Sequence, residues 1–356
     1  MMKGTKKPKV LAALSGGVDS SVAAALLKEA GYDVCGVTMR IGAPRVDDPS
    51  RCGGFYATDD AERICDQLEI PHLFVDYAER MEEKVIERFV AEYRRGRTPN
   101  PCVDCNRFLK FGGLLEHAGA LGFDYLATGH YACIEKRGVD FVLKRPKDKR
   151  KDQTYFLYAV PRTILGSILF PLASLTKDEV RGTANRLDLH VAEKAESQDI
   201  CFIANNRYGT FLSERFAGIM PGPITDSTGK KLGNHKGIVY YTIGQRAGLG
   251  ISAKHPLYVV SIDVENNRIV VGSKENLMAK GLIAGNLNML VDDWPSRVYA
   301  KIRYRKKEAR CEAVIEGGKL KLMFEEDQDA VTPGQSVVLY DGDVVLGGGV
   351  IEDALR

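Results

Sequence analysis

Val10-Leu11-Ala12-Ala13-Leu14-Ser15-Gly16-Gly17-Val18-Asp19-Ser20-Ser21 is the stretch whose reading decides the fold. The apolar run Val10–Leu14 predicts a short buried strand, and Ser20–Ala30 carries apolar residues at helical spacing up to Gly31, a C-cap residue. Between them, Gly16 and Gly17 let the backbone turn tightly and let an anion come close. The N–H groups at the start of the following helix, with its dipole, favour a phosphate. The alternative is a plain glycine turn in an α/β sheet; the strand–turn–helix setting weighs toward phosphate.

The lysine of a Walker A loop is missing, and so is the G-x-G-x-x-G spacing of a dinucleotide fold. Ser-Gly-Gly-x-Asp-Ser-Ser instead resembles the pyrophosphate loop of enzymes that split ATP between its α- and β-phosphates and move AMP onto an oxygen. The resemblance implies that Ser15, Gly16, Gly17, Ser20 and Ser21 hold pyrophosphate and that Asp19 helps hold magnesium.

Outward from this loop, the first third alternates strand and helix. Strands are expected at Val10–Leu14, Val34–Arg40, His72–Tyr77 and Tyr125–Thr128; helices at Ser20–Ala30, Asp59–Leu68, Met81–Arg95 and Asn106–Leu121. That rhythm predicts an α/β fold with a doubly wound parallel sheet, whose ligands sit beyond the C-terminal strand ends. Ser15–Ser20, Met39 and Gly129-His130 all fall at such ends. From about Phe211 short strands separated by Gly and Asn take over: a hairpin of Tyr258–Val264 and Arg268–Gly272 around Asn266-Asn267, then Tyr299–Arg305, Cys311–Glu316, Lys319–Phe324, Ser336–Tyr340 and Val344–Ile351. This predicts a small β-rich middle domain and a C-terminal β-barrel.

With 356 residues the chain has length for two or three domains, and a net charge of +3 neither demands nor excludes nucleic acid. The apolar run after basic Met1–Lys9 is too short for a signal peptide, and no stretch approaches a membrane span. The expectation is a cytoplasmic monomer with no membrane partner. Its eight cysteines then serve as thiols, metal ligands or catalysts. Cys35, Cys65, Cys133 and Cys311 read as packing residues, and Cys52 lies in a loop. Cys102 and Cys105 form a C-x-x-C behind Pro99 and Pro101. With the next helix starting near Asn106, Cys105 would sit at its positive end, beside Arg107 and Lys110, where a thiolate is favoured. Cys201, between Ile200 and Phe202, reads by itself as a core residue.

Seven stretches, in order, are identified as those of the bacterial tRNA-uridine 2-sulfurtransferases, the tRNA-specific 2-thiouridylases of the PP-loop ATP pyrophosphatase superfamily. They are Ser15–Ser21, Gly-Arg-Thr-Pro-Asn-Pro-x-x-x-Cys-Asn (96–106), Ala-Thr-Gly-His-Tyr (127–131), Lys-Asp-Gln-x-Tyr-Phe-Leu (151–157), Ser-x-x-Ile-Cys-Phe-Ile (197–203), Thr-Ile-Gly-Gln-Arg-x-Gly-Leu-Gly (242–250) and Thr-Pro-Gly-Gln-Ser (332–336). The resemblance implies a catalytic domain at 1–205, a middle domain at 206–274 and a tRNA-binding barrel at 275–356. It implies that Ala13, Leu14, Ser15, Gly16, Gly17, Val18, Asp19, Ser20, Met39 and Gly129 bind ATP. Uridine O2 would be adenylated, with release of pyrophosphate; magnesium and loop amides would stabilise the developing charge. Cys105 would be the nucleophile and Cys201 would receive persulfide sulfur from a donor protein, with Cys105 releasing it either by forming a disulfide with Cys201 or by freeing sulfide for the attack; a sulfide source is the alternative partner. Cys102 stands where other members carry Asp. That creates a rival scheme in which Cys102, Cys105 and Cys201 hold a [4Fe-4S] cluster.

The unpaired anticodon-loop base is cheaper to extrude than one in a duplex. By resemblance Asn100, Pro101 and Cys102 border the target base, and His130, Lys151, Asp152, Gln153, Arg303, Tyr304 and Gln335 contact tRNA. Lys144–Lys151 and the alternating Lys301, Arg303 and Arg305 supply candidate phosphate contacts, extended by Lys306, Lys307 and Arg310. Two other readings compete: an ATP pyrophosphatase acting on a small molecule, and a non-enzymatic RNA-binding sulfur carrier.

Overall fold

The computed structural model describes residues 7–41, 55–195, 200–203, 208–216 and 218–356; Cys52 lies outside them. Two compact units emerge. One comprises residues 1–85, 102–206 and 343–345, the other 86–101, 207–342 and 346–356.

The first unit is built on a parallel five-stranded sheet. Its strands are β1 (Lys9–Ala13), β2 (Asp33–Arg40), β3 (His72–Asp76), β4 (Tyr125–Thr128) and, after the hairpin β5 (Cys133–Arg137) and β6 (Asp140–Lys144), β7 (Ile168–Leu169). The order is β3-β2-β1-β4-β7, with every pairing parallel. The chain leaves β1 toward β2 on one side and later returns to β4 on the other, so the crevice of this sheet lies at the C-terminal ends of β1 and β4. Helix α1 (Val18–Glu29) packs closely because Ala23, Ala24 and Ala25 are small and buried, and the core continues through Val10, Val22, Val34, Ile64 and Val180. Cys35, Cys65 and Cys311 are buried packing residues, as read, and Cys133 is half-buried.

Two expected helices are compound. After α2 (Phe55–Gln67), α3 (Ala78–Met81) widens to a π-helix over Glu82–Ile86 before α4 (Glu87–Arg94). α5 (Pro101–Asp104) likewise runs into a π stretch at Cys105–Leu114 and then α6 (Leu115–Ala120). The second starts at Pro101, not near Asn106. Proline suits the first helical position because its fixed φ and missing N–H cost nothing there. Cys105 therefore lies a turn inside the helix, and the dipole advantage, which fades beyond the first turn, falls on Cys102 instead. Helices α7 (Lys177–Arg186) and α8 (Tyr208–Arg215) follow.

The second unit is β-rich. Strands β8 (Gly222–Thr225), β9 (Lys231–His235), β10 (Tyr258–Asp263) and β11 (Arg268–Gly272) form a sheet of order β10-β11-β8-β9 around Ile224, Tyr241, Val259, Ile269 and Val271. The predicted hairpin is there, with Asn267 at φ +45° in its turn. Strands β12 (Met278–Met289), β13 (Arg297–Lys301), β14 (Ala309–Glu316), β15 (Lys319–Asp329), β16 (Ser336–Asp341) and β17 (Val344–Leu355) run in the order β12-β15-β14-β13-β16-β17, and the β12–β17 pairing closes an antiparallel barrel. Strand β13 ends at Lys301, so Lys301, Arg303 and Arg305 do not share a strand face. A turn closed by Lys306 N donating to Arg303 O (3.2 Å) replaces the expected alternation.

Candidate active site

The chain leaves β1 at Ala13, and Leu14 N still donates to Val37 O at 2.8 Å, so the sheet holds the entry to the loop. Gly16 takes φ +69°, which favours glycine, and Gly17 caps α1 with no side-chain hydrogen bond. The turn is braced by hydroxyls. Ser15 N and Oγ each lie 3.2 Å from Ser20 Oγ, and Ser20 and Ser21 Oγ donate to Gly17 O at 3.0 and 2.9 Å. Val18 is buried, and Met39 is half-buried near the end of β2. At the end of β4 a Cβ on Gly129 would lie 2.6 Å from Ser20 N and 2.7 Å from Asp19 C. Its bare backbone is thus needed by the loop itself, a packing reason distinct from approach of a nucleotide.

Asp19 is the charged centre of the turn. Lys177 Nζ donates to its Oδ1 at 2.7 Å and Tyr131 OH to the same oxygen at 2.9 Å. Among the described residues no hydrogen bond reaches Oδ2. A second ammonium, Lys194 Nζ, donates to Gly16 O at 3.0 Å and pairs with Asp60 at 2.5 Å. Lys177, Tyr131, Lys194 and Asp60 had no local signal marking them as partners of the loop, although Thr176-x-x-Glu179 does spell the capping box that begins α7. The open carboxylate oxygen, two ammonium groups and helix-start amides suit a magnesium–phosphate ligand.

Cys102 is exposed; Cys105 and Cys201 are half-buried, Cys201 beside buried Phe202 and Ile203. Among the described residues no group of three or more His, Cys, Asp or Glu is arranged to hold a metal ion. The rival scheme with an iron–sulfur cluster on Cys102, Cys105 and Cys201 thus gains no support. Buried Asn106, next to Cys105, donates to Phe156 O at 3.1 Å and so ties this helix to the Lys151–Leu157 motif.

Several residues expected at tRNA are occupied within the fold. Asp152 is buried and accepts from Thr154 N and Oγ1 at 2.9 and 2.6 Å; Gln153 Oε1 accepts from Tyr131 N at 2.8 Å. Lys151 is half-buried. His130 Nδ1 lies 2.7 Å from Thr128 Oγ1 with its ring against Phe111 and Phe170, and burial, aided by Lys110, pushes its pKa well below the usual imidazole value. The Lys144–Lys151 run is largely paired internally: Lys144 with Glu135 (2.6 Å), Lys147 with Glu179 (2.8 Å), Lys149 with Asp343 (2.5 Å) and Arg150 with Asp148 (3.2 Å).

In the second unit, Arg303 donates to Ile243 O and Thr332 Oγ1, and Tyr304 is half-buried beside it. Gln335 Nε2 donates to Thr98 O at 2.7 Å, Thr98 N donates to Pro333 O at 2.9 Å, and Arg97 Nη2 donates to Ile351 O at 3.0 Å. The Thr332–Ser336 turn thus holds the segment that leads into half-buried Asn100 and buried Pro101. No helix among the described residues is long and apolar enough to cross a membrane.

Comparison with known proteins gives a consistent picture. Residues 8–205 match the family described as tRNA methyl transferase HUP domain, 209–273 the tRNA methyl transferase PRC-barrel domain and 279–351 the aminomethyltransferase beta-barrel domain. The chain is similar to tRNA-specific 2-thiouridylase MnmA 1 of Syntrophus aciditrophicus (strain SB), 56% identical over 98% of this chain and 94% of the relative. It is also similar to the MnmA proteins of Acetivibrio thermocellus, 48% identical over 97% and 99%, and of Clostridium botulinum (strain Alaska E43 / Type E3), 47% identical over 99% and 99%.

Proposed function

The chain belongs to the tRNA-specific 2-thiouridylase family, and from that premise we propose how its residues carry out ATP-dependent 2-thiolation of tRNA uridine. The enzyme is a tRNA-uridine 2-sulfurtransferase, and the target we assign is the wobble uridine. The C2 oxygen leaves poorly as it stands. Its attack on the α-phosphorus of ATP, with departure of pyrophosphate, turns it into the oxygen of a bound AMP. Ala13–Ser20, Met39 and Gly129 take the nucleotide, with Lys177 and Lys194 beside the phosphates. Asp19 would hold magnesium, which would neutralise charge on those phosphates.

The terminal sulfur of a persulfide on Cys201, supplied by a cysteine-desulfurase type of donor, attacks C2, and AMP leaves. Cys105 thiolate attacks Cys201 Sγ, the S–S bond breaks and the terminal sulfur stays on C2. The Cys105–Cys201 disulfide that results is returned to thiols by a dithiol reductant. We take residues 1–205 as the catalytic domain, 206–274 as the middle domain and 275–356 as the barrel that meets tRNA, with Asn100, Pro101 and Cys102 at the base. We place the reaction in the cytoplasm.

The observation that supports this reading best is the braced Ser15–Ser20 turn at the switch point of the sheet, with one Asp19 oxygen open. The test combines the enzyme, ATP, magnesium, a persulfide donor and unmodified tRNA, with mass analysis of the wobble nucleoside. The expected result is a sulfur-for-oxygen change, abolished by Cys105→Ser and by Cys201→Ser while tRNA-dependent pyrophosphate release persists. Thiolation at the parental rate by both variants would refute the assignment.

A further inference from the structure

Lys177 stands where a cation is unwelcome. It is the first residue of α7, at the positive end of the helix dipole, and its side chain is only 8% exposed. Its place is fixed on the backbone side, since its N–H donates to Asp148 Oδ2 at 3.1 Å while Thr176 and Glu179 close the capping box. Burying an ammonium at a helix start is costly unless an anion meets it. Asp19 meets it, but through one oxygen only, and Tyr131 donates to that same oxygen. Oδ1 thus carries two donors while, among the described residues, none reaches Oδ2, and the Asp19 side chain is 32% exposed.

Resting on the reading of the turn as the ATP loop, we propose that Lys177 and Tyr131 are positioning residues that make Asp19 a ligand for magnesium only when the metal arrives with a triphosphate. They clamp Oδ1, so the carboxylate cannot rotate or chelate through both oxygens. Lys177 also cancels the charge of Asp19, so a bare divalent cation finds a neutral site with an ammonium beside it. The metal–ATP complex carries net negative charge and is attracted by Lys177 and, in part offset by its partner Asp60, by Lys194 on the Gly16 side of the turn. One cation thereby disfavours the metal alone and favours the loaded nucleotide.

Mn2+ replaces magnesium in the test, which is read by electron paramagnetic resonance on the full chain with and without a non-hydrolysable α,β-methylene ATP. Lys177→Met is expected to bind Mn2+ alone several-fold more tightly, yet to bind the Mn2+–nucleotide complex about tenfold more weakly, since removing one nearby charge acts on the two ligands with opposite sign. Tyr131→Phe, which alters no charge, is expected to weaken the complex several-fold with no gain for Mn2+ alone, and it carries the test should Lys177→Met fail to fold. A parallel loss of both ligands in Lys177→Met, or no change in either variant, overturns the proposal. Failure of the parent protein to bind the Mn2+–nucleotide complex would instead overturn the ATP-loop reading beneath it.

Discussion

Two glycines in separate units solve the same packing problem and serve different ends. Gly129 lies against the Ser15–Ser20 turn, with 2.6 Å from a would-be Cβ to Ser20 N; Gly334, at φ +90°, lies against the Thr98 backbone, with 2.8 Å to Thr98 N. Each lets a sequence motif rest directly on another backbone. Around Gly129 the bonding is ionic and incomplete: Asp19, Lys177 and Lys194 converge and one carboxylate oxygen stays open. Around Gly334 the bonding runs mainly to backbone carbonyls, with Gln335 and Pro333 both meeting Thr98 and no carboxylate among these contacts. Open charge in one region suits binding and turnover of a charged ligand. Saturated hydrogen bonds in the other suit holding a segment still.

Placing a methyl group at each glycine tests the contrast. Gly129→Ala should weaken ATP binding most, because overpacking against a fixed backbone costs about 1–3 kcal/mol and the whole turn must shift. Gly334→Ala should cost similar stability, raised further by its positive φ, yet leave ATP affinity at the parental value while thiolation of tRNA falls. Calorimetric ATP binding set against thermal unfolding separates the two; equal loss of ATP affinity in both would erase the distinction.

A smaller effect is expected at Gln335, where Gln335→Leu leaves Thr98 O short of one donor, a change of about 0.5–1.5 kcal/mol. Denaturant unfolding should register it, with no change in nucleotide affinity. A drop in tRNA affinity beyond that figure, with the salt dependence unchanged because the amide carries no charge, would mean that Gln335 also touches RNA.

The smallest effect concerns acid stability at the helix that carries Lys177. Burial pulls the pKa of Asp148 upward, but hydrogen bonds from Arg150 and the backbone N–H groups of Lys177 and Arg150 outweigh it, leaving the value below the usual carboxylate range. A carboxyl group depressed in the folded state binds fewer protons there than in the unfolded chain. Its stabilisation is therefore complete above the unfolded pKa and is lost as pH falls through the folded one. Asp148→Asn should flatten the acid limb of the stability curve below about pH 4, taken from the unfolded carboxylate value. A limb of unchanged slope would show that the bonds to Asp148 are not coupled to folding.

Much of this was legible in the chain because local rules suffice for it. Val10–Leu14 is apolar enough to be buried, Gly16 is needed for a positive φ, and the alternation of strand and helix dictates a parallel sheet. The start at Pro101 was also locally encoded, since proline at a first helical position is a recognised signal. Charge along a chain does not reveal its partners, and Glu135, Glu179, Asp343 and Asp148 take up most of the Lys144–Arg150 cations.

By itself the sequence determined the alternation of strand and helix over the first third, the glycine turn at Ser15–Ser20, the hairpin at Tyr258–Gly272 and the family, since each depends on residues close together or on matched motifs. Only the tertiary structure decided that Lys177 and Tyr131, 158 and 112 positions from Asp19, share one of its oxygens. It alone decided that Gln335, 237 positions from Thr98, holds that carbonyl. The physical reason is that a buried charge or amide must find its partner wherever folding brings one within about 3 Å, and sequence separation places no limit on that search.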